Sequence, residues 1–220
     1  MVHKSLKDVV YDYILGELDA GRLRPGDRVH EREICAKLQT SRTPVREALL
    51  QLEPLGLVLI LPRKGIVVRQ LTLEDLRELF ETLGALEAEA ARRATSRLQE
   101  KDFAALERSV RTMEQLVDSR QSRAFDRENE AFHEIYLTRC NNRVMLETIR
   151  LLKRRFYDVP HPVYRLEAWE KQVLEEHREI VELLRRRDSE GVAALLQYRH
   201  WSWEHNEVYL FQSKSAEILA

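Results

Sequence analysis

The segment Ser41-Arg-Thr-Pro-Val-Arg-Glu-Ala-Leu49 carries the side chains best suited to engage another molecule. Arg42 and Arg46 lie one helical turn apart and share a face. An arginine fork can bond O6 and N7 of one guanine, and a threonine such as Thr43 can touch a thymine methyl. This face therefore suits the major groove of DNA. Ser41 is the expected N-cap, and Pro44 is tolerated because a first helical turn can spare a backbone N–H. Val45, Ala48, Leu49 and Leu52 fall opposite and are expected to be buried. Two arginines on a helix often form only a solvated face, so their meaning depends on the elements around them.

Those elements fit. Glu31-Arg-Glu-Ile-Cys-Ala-Lys-Leu38 is a short amphipathic segment, joined to the next helix through the polar Gln39-Thr40. So brief a link between two helices is the helix-turn-helix arrangement. After the second helix, Leu57-Val-Leu-Ile-Leu61 has strand length, Pro62-Arg-Lys-Gly65 turns, and Ile66-Val-Val68 returns. That predicts a hairpin with a basic tip, the wing of a winged helix. Arg63 and Lys64 could reach phosphate or the minor groove, with Gly65 allowing close approach. Upstream, Ser5 to Ala20 reads as an amphipathic helix with Leu6, Val9, Val10, Tyr13, Ile14 and Leu18 inward.

Several motifs in order over residues 5–68 carry a family resemblance: Gly21-Arg-Leu-Arg-Pro-Gly-Asp-Arg-Val29, Glu31-Arg-Glu33, Ser41 to Leu49, Leu55-Gly-Leu-Val58 and Arg63-Lys-Gly65. This part resembles the GntR family of bacterial transcription regulators. The resemblance implies that Arg32, Arg42, Thr43 and Arg46 contact DNA, with Gly65 at the wing tip. Gln39 departs from the pattern, since the family commonly has Gly there.

Composition bounds the reading. The chain has 220 residues, no long apolar run and a formal net charge of −1. It is expected to be soluble and cytoplasmic, with no membrane partner and no signal peptide. Residues 1–70 carry about +3 and the remainder about −4. So weak a surplus requires a focused patch to hold DNA; Arg32, Arg42, Arg46, Arg63 and Lys64 would supply it, doubled in a dimer. Cys35 and Cys140 are the only cysteines and are expected to stay reduced.

The fold class expected is mainly α. Residues 1–70 would form a winged helix-turn-helix with a small β-hairpin wing, and 71–220 an all-α antiparallel helical bundle. From Thr72-Leu-Glu-Asp onward glycine and proline are scarce. The periodicity predicts helices near 72–94, 99–118, 122–139, 142–157, 165–187 and 189–211, with a break at Pro160-His-Pro162. The boundary near residue 70 has almost no linker, so Thr72 to Leu79 is the expected coupling segment.

The element order, Leu86-Glu87, Asn129-Glu-Ala-Phe-His133, Asn141-Asn142 and Glu176-His-Arg-Glu-Ile180 resemble the FadR branch, whose C-terminal part is the FCD domain. Many members hold a divalent metal there with one Asp and three His, beside a small organic acid. Here the resemblance implies Asn129, His133, His177 and His200 as ligands for zinc, nickel or a similar ion. Asn129 and His133 are at i and i+4 and can share an interior spot. Asn129 stands where the family often has Asp, and a neutral amide oxygen should weaken binding.

The third histidine is a harder fit. Its usual position is Arg199, and the pattern Val192, Leu195, Leu196, Arg199, Trp203 turns Arg199 inward and His200 to a flank. A cation about 4 Å from a divalent ion is repelled by several kcal/mol even at an effective dielectric of about 20. Either His200 enters through a local bulge, or Arg199 holds a carboxylate and the metal is weak or absent. Leu83 stands where relatives often carry an effector-binding Arg; Arg150 or Arg154 could substitute for it. Phe125, Phe132, Tyr136, Phe156, Trp169, Trp201 and Trp203 are expected to be core and pocket wall.

The expectation is a homodimeric, effector-responsive regulator, a repressor binding a near-palindromic operator. Rival readings are a direct metal sensor, an architectural binder without effector, and a metal-dependent enzyme. The last lacks an evident general base, since Glu130 and Glu134 flank the ligands but point elsewhere.

Overall fold

The computed structural model describes residues 4–69, 71–157 and 167–209. Helix α1 (Leu6–Asp19) starts in a reciprocal cap: the Asp8 N–H donates to Ser5 Oγ and the Ser5 N–H to Asp8 Oδ2. Val10, Ile14 and Leu18, spaced four apart, are its buried stripe. Leu6 and Val9, expected inward, are exposed: Leu6 keeps the four-residue spacing but is the first residue of the helix, and Val9 lies beside the stripe. Strand β1 (Arg28–Val29), α2 (Glu31–Leu38), α3 (Arg42–Leu52), β2 (Val58–Leu61) and β3 (Gly65–Val68) come next in the chain.

The sheet runs β1-β3-β2 and is antiparallel throughout, with Val58 opposite Val68 and Leu61 opposite Gly65. Its two-residue β1 was not foreseen, because a strand that short has no periodicity to read. It pairs Arg28 with Val67 and Val29 with Ile66. Val45, Ala48, Leu49 and Leu52 of α3 close on α1, Ile34, Leu57, Val58 and Val68 in one core. At about 25 cal/mol per Å² of apolar surface, burial of this kind is what holds so small a sheet.

The second part of the chain is helical: α4 (Leu73–Thr95), α5 (Glu100–Asp118), α6 (Ser122–Leu137), α7 (Arg143–Tyr157), α8 (Glu167–Arg185) and α9 (Ser189–Leu195). Helix α4 opens on a cap in which the Asp75 N–H donates to Thr72 Oγ1 and the Thr72 N–H to Asp75 Oδ2. Arg69 also reaches the Asp75 carboxylate. Two compact units result. One runs to Leu76 and also takes in α7 from Leu151 onward; the other holds Arg77–Arg150 and the chain from α8 onward. The expected break at Pro160-His-Pro162 lies outside the described residues.

The helix expected over 189–211 is not continuous. After α9 the backbone makes a π turn over Leu196–His200, closed by the Trp201 N–H on the Leu196 carbonyl at 2.9 Å. The chain breaks at Trp201-Ser202 and is helical again over 203–209. The Asn206 side chain donates to the carbonyls of His200 and Ser202, which satisfies the broken ladder. Gly84 lets α4 pass this turn closely: a Cβ there would lie 3.1 Å from that of Trp201. Among the described residues, no helix is long and apolar enough to cross a membrane.

Candidate DNA-reading face and buried histidine centre

The helix-turn-helix is built around one unusual backbone position. Gln39 ends α2 with φ of 50°, in the left-handed region. This explains the glycine common in the family: the turn requires that conformation, and Gln adopts it at a steric cost. Ser41 occupies the N-cap position of α3 in extended conformation, but its side chain makes no capping bond, contrary to expectation. Pro44 falls in the first turn, where no intrahelical N–H bond is lost.

Arg42, Thr43 and Arg46 are all exposed on α3, and Arg32 is exposed on α2. Arg32, Arg42 and Gly65 are brought together around a cleft of about 500 Å³ between the start of α2 and the wing, also lined by His30, Glu31 and Ile66. At the wing tip Arg63 and Gly65 have φ of 61° and 96°. Arg28 fixes the tip by donating to the Lys64 carbonyl at 2.9 Å, so Arg63 and Lys64 stand exposed on a braced loop. Arg46 donates through Nε to Glu31 Oε1 at 2.7 Å, a partner that sequence reasoning did not assign.

In the helical unit, α6 contributes Asn129 and His133, α8 contributes His177, and the π turn contributes His200; all four are buried. A ring nitrogen from each histidine lies within 4.8 Å of the others. His133 Nε2 is 3.3 Å from His177 Nε2 and 3.2 Å from His200 Nε2. The π turn decides which of two neighbours points inward. One extra residue in a turn rotates the helix by about 100°. His200 therefore takes the interior position that regular α periodicity assigned to Arg199.

Arg199 is the corresponding correction. It lies outside the cluster, paired with Glu179 and 3.8 Å from Glu176. Arg150 and Arg154, the other candidates for an effector carboxylate, also stay outside: Arg150 pairs with Glu134 and Arg154 donates to Tyr11 Oη. Leu83 is fully buried.

Two buried carboxylates orient the rings. Glu87 Oε2 lies 2.8 Å from His133 Nδ1 and accepts from the Tyr136 hydroxyl at 2.9 Å, and that hydroxyl is itself 2.6 Å from His133 Nδ1. Glu176 Oε2 is 2.8 Å from His200 Nδ1, and its Oε1 is 3.0 Å from His205 Nε2. Burial resists ionisation of Glu176, but the hydrogen bond and charge of His200 outweigh it and hold its pKa below the ordinary carboxylate value. Phe132 stacks on the His177 ring at 4.1 Å. Tyr136 is buried as expected, but its hydrogen bond, the role of Glu87 as an acceptor, and His205 were not anticipated. A readable signal existed: Glu87 interrupts the apolar stripe Leu76, Phe80, Leu83, Ala90, Ala94 on α4, and Glu176 does the same beside Val173 and Ile180 on α8.

Where each carboxylate accepts from Nδ1, Nε2 is the ring nitrogen that His133 and His200 turn toward one another. These two nitrogens lie 3.2 Å apart. A cation between the rings, either a metal ion or a shared proton, suits imidazole nitrogens this close together. An ion bound tetrahedrally at about 2.0–2.1 Å sets its ligand nitrogens about 3.3 Å apart, close to the spacing here. The three histidines therefore fit a transition-metal ion, and Asn129, four residues before His133 on α6, is buried as well.

Comparison with known proteins places both units. Residues 6–68 match the family described as bacterial regulatory proteins, gntR family, and residues 78–200 match the FCD domain. The chain is similar to the HTH-type transcriptional repressor RspR of Escherichia coli (strain K12), 26% identical over 170 residues, covering 77% of this chain and 75% of that one. It is 33% identical over 198 residues to the probable D-xylose utilization operon transcriptional repressor of Paenarthrobacter nicotinovorans, covering 86% and 83%. The solved structure of E. coli McbR/YncC superposes with a TM-score of 0.77 at 25% identity, covering 96% of this chain and all of that one. Its relatives are transcription regulators and not enzymes. The exposed arginine helix, the braced wing and these matches together make the chain a member of the GntR family of bacterial transcription regulators, with an FCD domain as its second unit.

Proposed function

We propose that this regulator is a dimeric, effector-responsive repressor of the FadR branch whose helical unit holds a divalent metal ion. The single observation that carries the metal reading is the convergence of three buried imidazoles, two of them carboxylate-anchored, with the Nε2 atoms of His200 and His177 3.2 and 3.3 Å from that of His133. His133, His177 and His200 would hold the ion, with Asn129 as a weaker fourth donor. A bound ion supplies an electrophilic centre to which the carboxylate of a small organic acid can attach. The chain's own part is to fix the three rings, exclude water with Phe132, Tyr136 and Trp201, and balance the ion's charge with Glu87 and Glu176.

In the first unit, Arg32, Arg42, Thr43 and Arg46 would face the major groove, and Arg63, Lys64 and Gly65 the adjacent backbone. Two such heads would read the halves of a near-palindrome. The ligand acts only if it binds the DNA-competent arrangement and its alternative unequally. The stretch from Thr72 to Leu79 joins the wing to the bundle covalently and is the proposed relay.

Two measurements test this. Elemental analysis of protein purified without added chelator should find about one zinc-class ion per chain; a metal-free protein would assign the inter-ring position to a shared proton instead. Selection of genomic fragments by the full-length protein should return a two-fold symmetric motif, and enrichment of no motif at physiological salt would remove the regulator reading of the site. A second reading, direct metal sensing, is favoured by the same buried cluster. It expects chelation alone to change operator affinity, whereas a metal serving only to hold an organic acid expects the acid to be required.

A further inference from the structure

The geometry points to Glu31 as a positioning residue that presets Arg46 for reading a base. This inference rests on α3 being the recognition helix. Glu31 is the first residue of α2 and lies fifteen positions before Arg46, so only the helix-turn-helix fold brings them together. The contact is a charge-assisted bond of 2.7 Å from Arg46 Nε to Glu31 Oε1. Its members are unequal. The Glu31 side chain is 23% exposed and that of Arg46 is 63% exposed. The carboxylate is the anchored partner and the guanidinium the presented one.

The choice of nitrogen matters. A guanidinium can use two edges for paired bonds: the two terminal nitrogens, or Nε with one of them. Glu31 occupies Nε and so blocks the second edge. The two terminal nitrogens make no hydrogen bond among the described residues. The edge left is the one that matches O6 and N7 of guanine end-on. An arginine already held loses less side-chain freedom on binding than one that must be ordered by the DNA. Arg32 and Arg42, exposed on the same surface, have no acidic hydrogen-bond partner among the described residues, so the arrangement singles out Arg46.

The carboxylate also carries a consequence for affinity. A negative charge at a DNA face repels phosphate and weakens binding to every sequence alike. Glu31 would thus exchange non-specific affinity for discrimination at one base pair, a form of specificity by penalising wrong partners.

The test uses full-length protein and the duplex obtained by fragment selection, together with duplexes altered one base pair at a time. R46A should abolish the preference at one guanine per half-site. E31A should reduce the preference at that same position by about two- to fivefold, leave the other positions unchanged, and raise affinity for unrelated DNA. E31Q, which keeps an oxygen acceptor of the same shape, should retain most of the preference. In an R46A background, E31A should change no base preference further. If E31A shifts all duplexes by one common factor, Glu31 is merely a surface charge and the inference fails. If R46A leaves every base preference intact, Arg46 is not a reader and the inference fails with it. Absence of any selected motif instead defeats the regulator reading itself. Circular dichroism of each variant verifies that the heads remain folded.

Discussion

Replacing Glu176 by Gln should weaken metal binding without emptying the histidine cluster. Glu176 is buried, with Oε2 2.8 Å from His200 Nδ1 and Oε1 3.0 Å from His205 Nε2. Gln has the same shape, so packing is kept, but the amide accepts more weakly and carries no charge to balance the ion. It can also present its NH₂ to His200, which would move the ring proton to Nε2 and block ligation. Loss of such an outer partner typically costs ten- to a hundredfold in metal affinity, about 1.4–2.7 kcal/mol.

A stability assay reads this directly. A ligand present at a hundred times its Kd stabilises the folded state by about 2.7 kcal/mol. If Kd rises a hundredfold at the same zinc concentration, that stabilisation drops to about 0.4 kcal/mol. Chelator-stripped parent and E176Q protein should therefore unfold in urea at similar midpoints without metal. Only the parent should gain the full increment on adding zinc. Competition with a chromophoric chelator gives the two Kd values independently. Equal Kd values would refute the role of Glu176 in supporting the ion, and no stabilisation of the parent by any first-row divalent ion would refute the assignment of these rings as metal ligands.

Three further outcomes are expected. Gln39→Gly should stabilise the DNA-binding unit by about 0.5–1 kcal/mol, since it relieves a left-handed backbone of φ 50° at the end of α2; chemical denaturation with an unchanged or lowered midpoint would contradict this. Asp102 is buried and accepts from Arg139 at 2.7 Å and from the Gln99 N–H at 2.8 Å. Burial opposes its ionisation, but these bonds outweigh that and depress its pKa below 3.8. The stability it supplies is therefore complete above the unfolded value and disappears as pH falls through the depressed folded value. Asp102→Ala should cost about 2 kcal/mol at pH 7 and flatten the acid limb of a stability profile; a parallel pair of profiles would show that Asp102 is not its source. Lys64→Ala should reduce the salt dependence of DNA binding by about one unit of slope while leaving sequence preference intact, and a loss of preference with an unchanged slope would show that Lys64 reads bases.

The parts legible in the sequence were those that repeat. Four-residue spacing revealed the buried stripe of α1, although it also drew in Leu6, exposed at the first position of the helix, and the expected inward set included Val9, which lies beside the stripe. The strand–turn–strand pattern from Leu57 to Val68 predicted the hairpin, since Gly65 permits the φ of 96° found at its tip. Asn129 and His133 were readable as a pair because four residues make one helical turn. The unpaired elements were not readable. Strand β1 is two residues long, and the strand it pairs with, β3, is thirty-seven or more positions away in the chain.

The sequence by itself determined which residues could bind DNA and which imidazoles were available, because side-chain type and helical spacing are local properties. Only the tertiary structure decided between Arg199 and His200. That choice depends on a backbone bond from Trp201 to Leu196, five residues back, and on Asn206, Gly84 and the packing around them. Helical periodicity assumes a constant rotation per residue, so it cannot register one inserted residue. The same holds for Glu31, Glu87 and Glu176: their partners lie 15, 46 and 24 positions away. Such distances along the chain become hydrogen bonds only after the helices have packed.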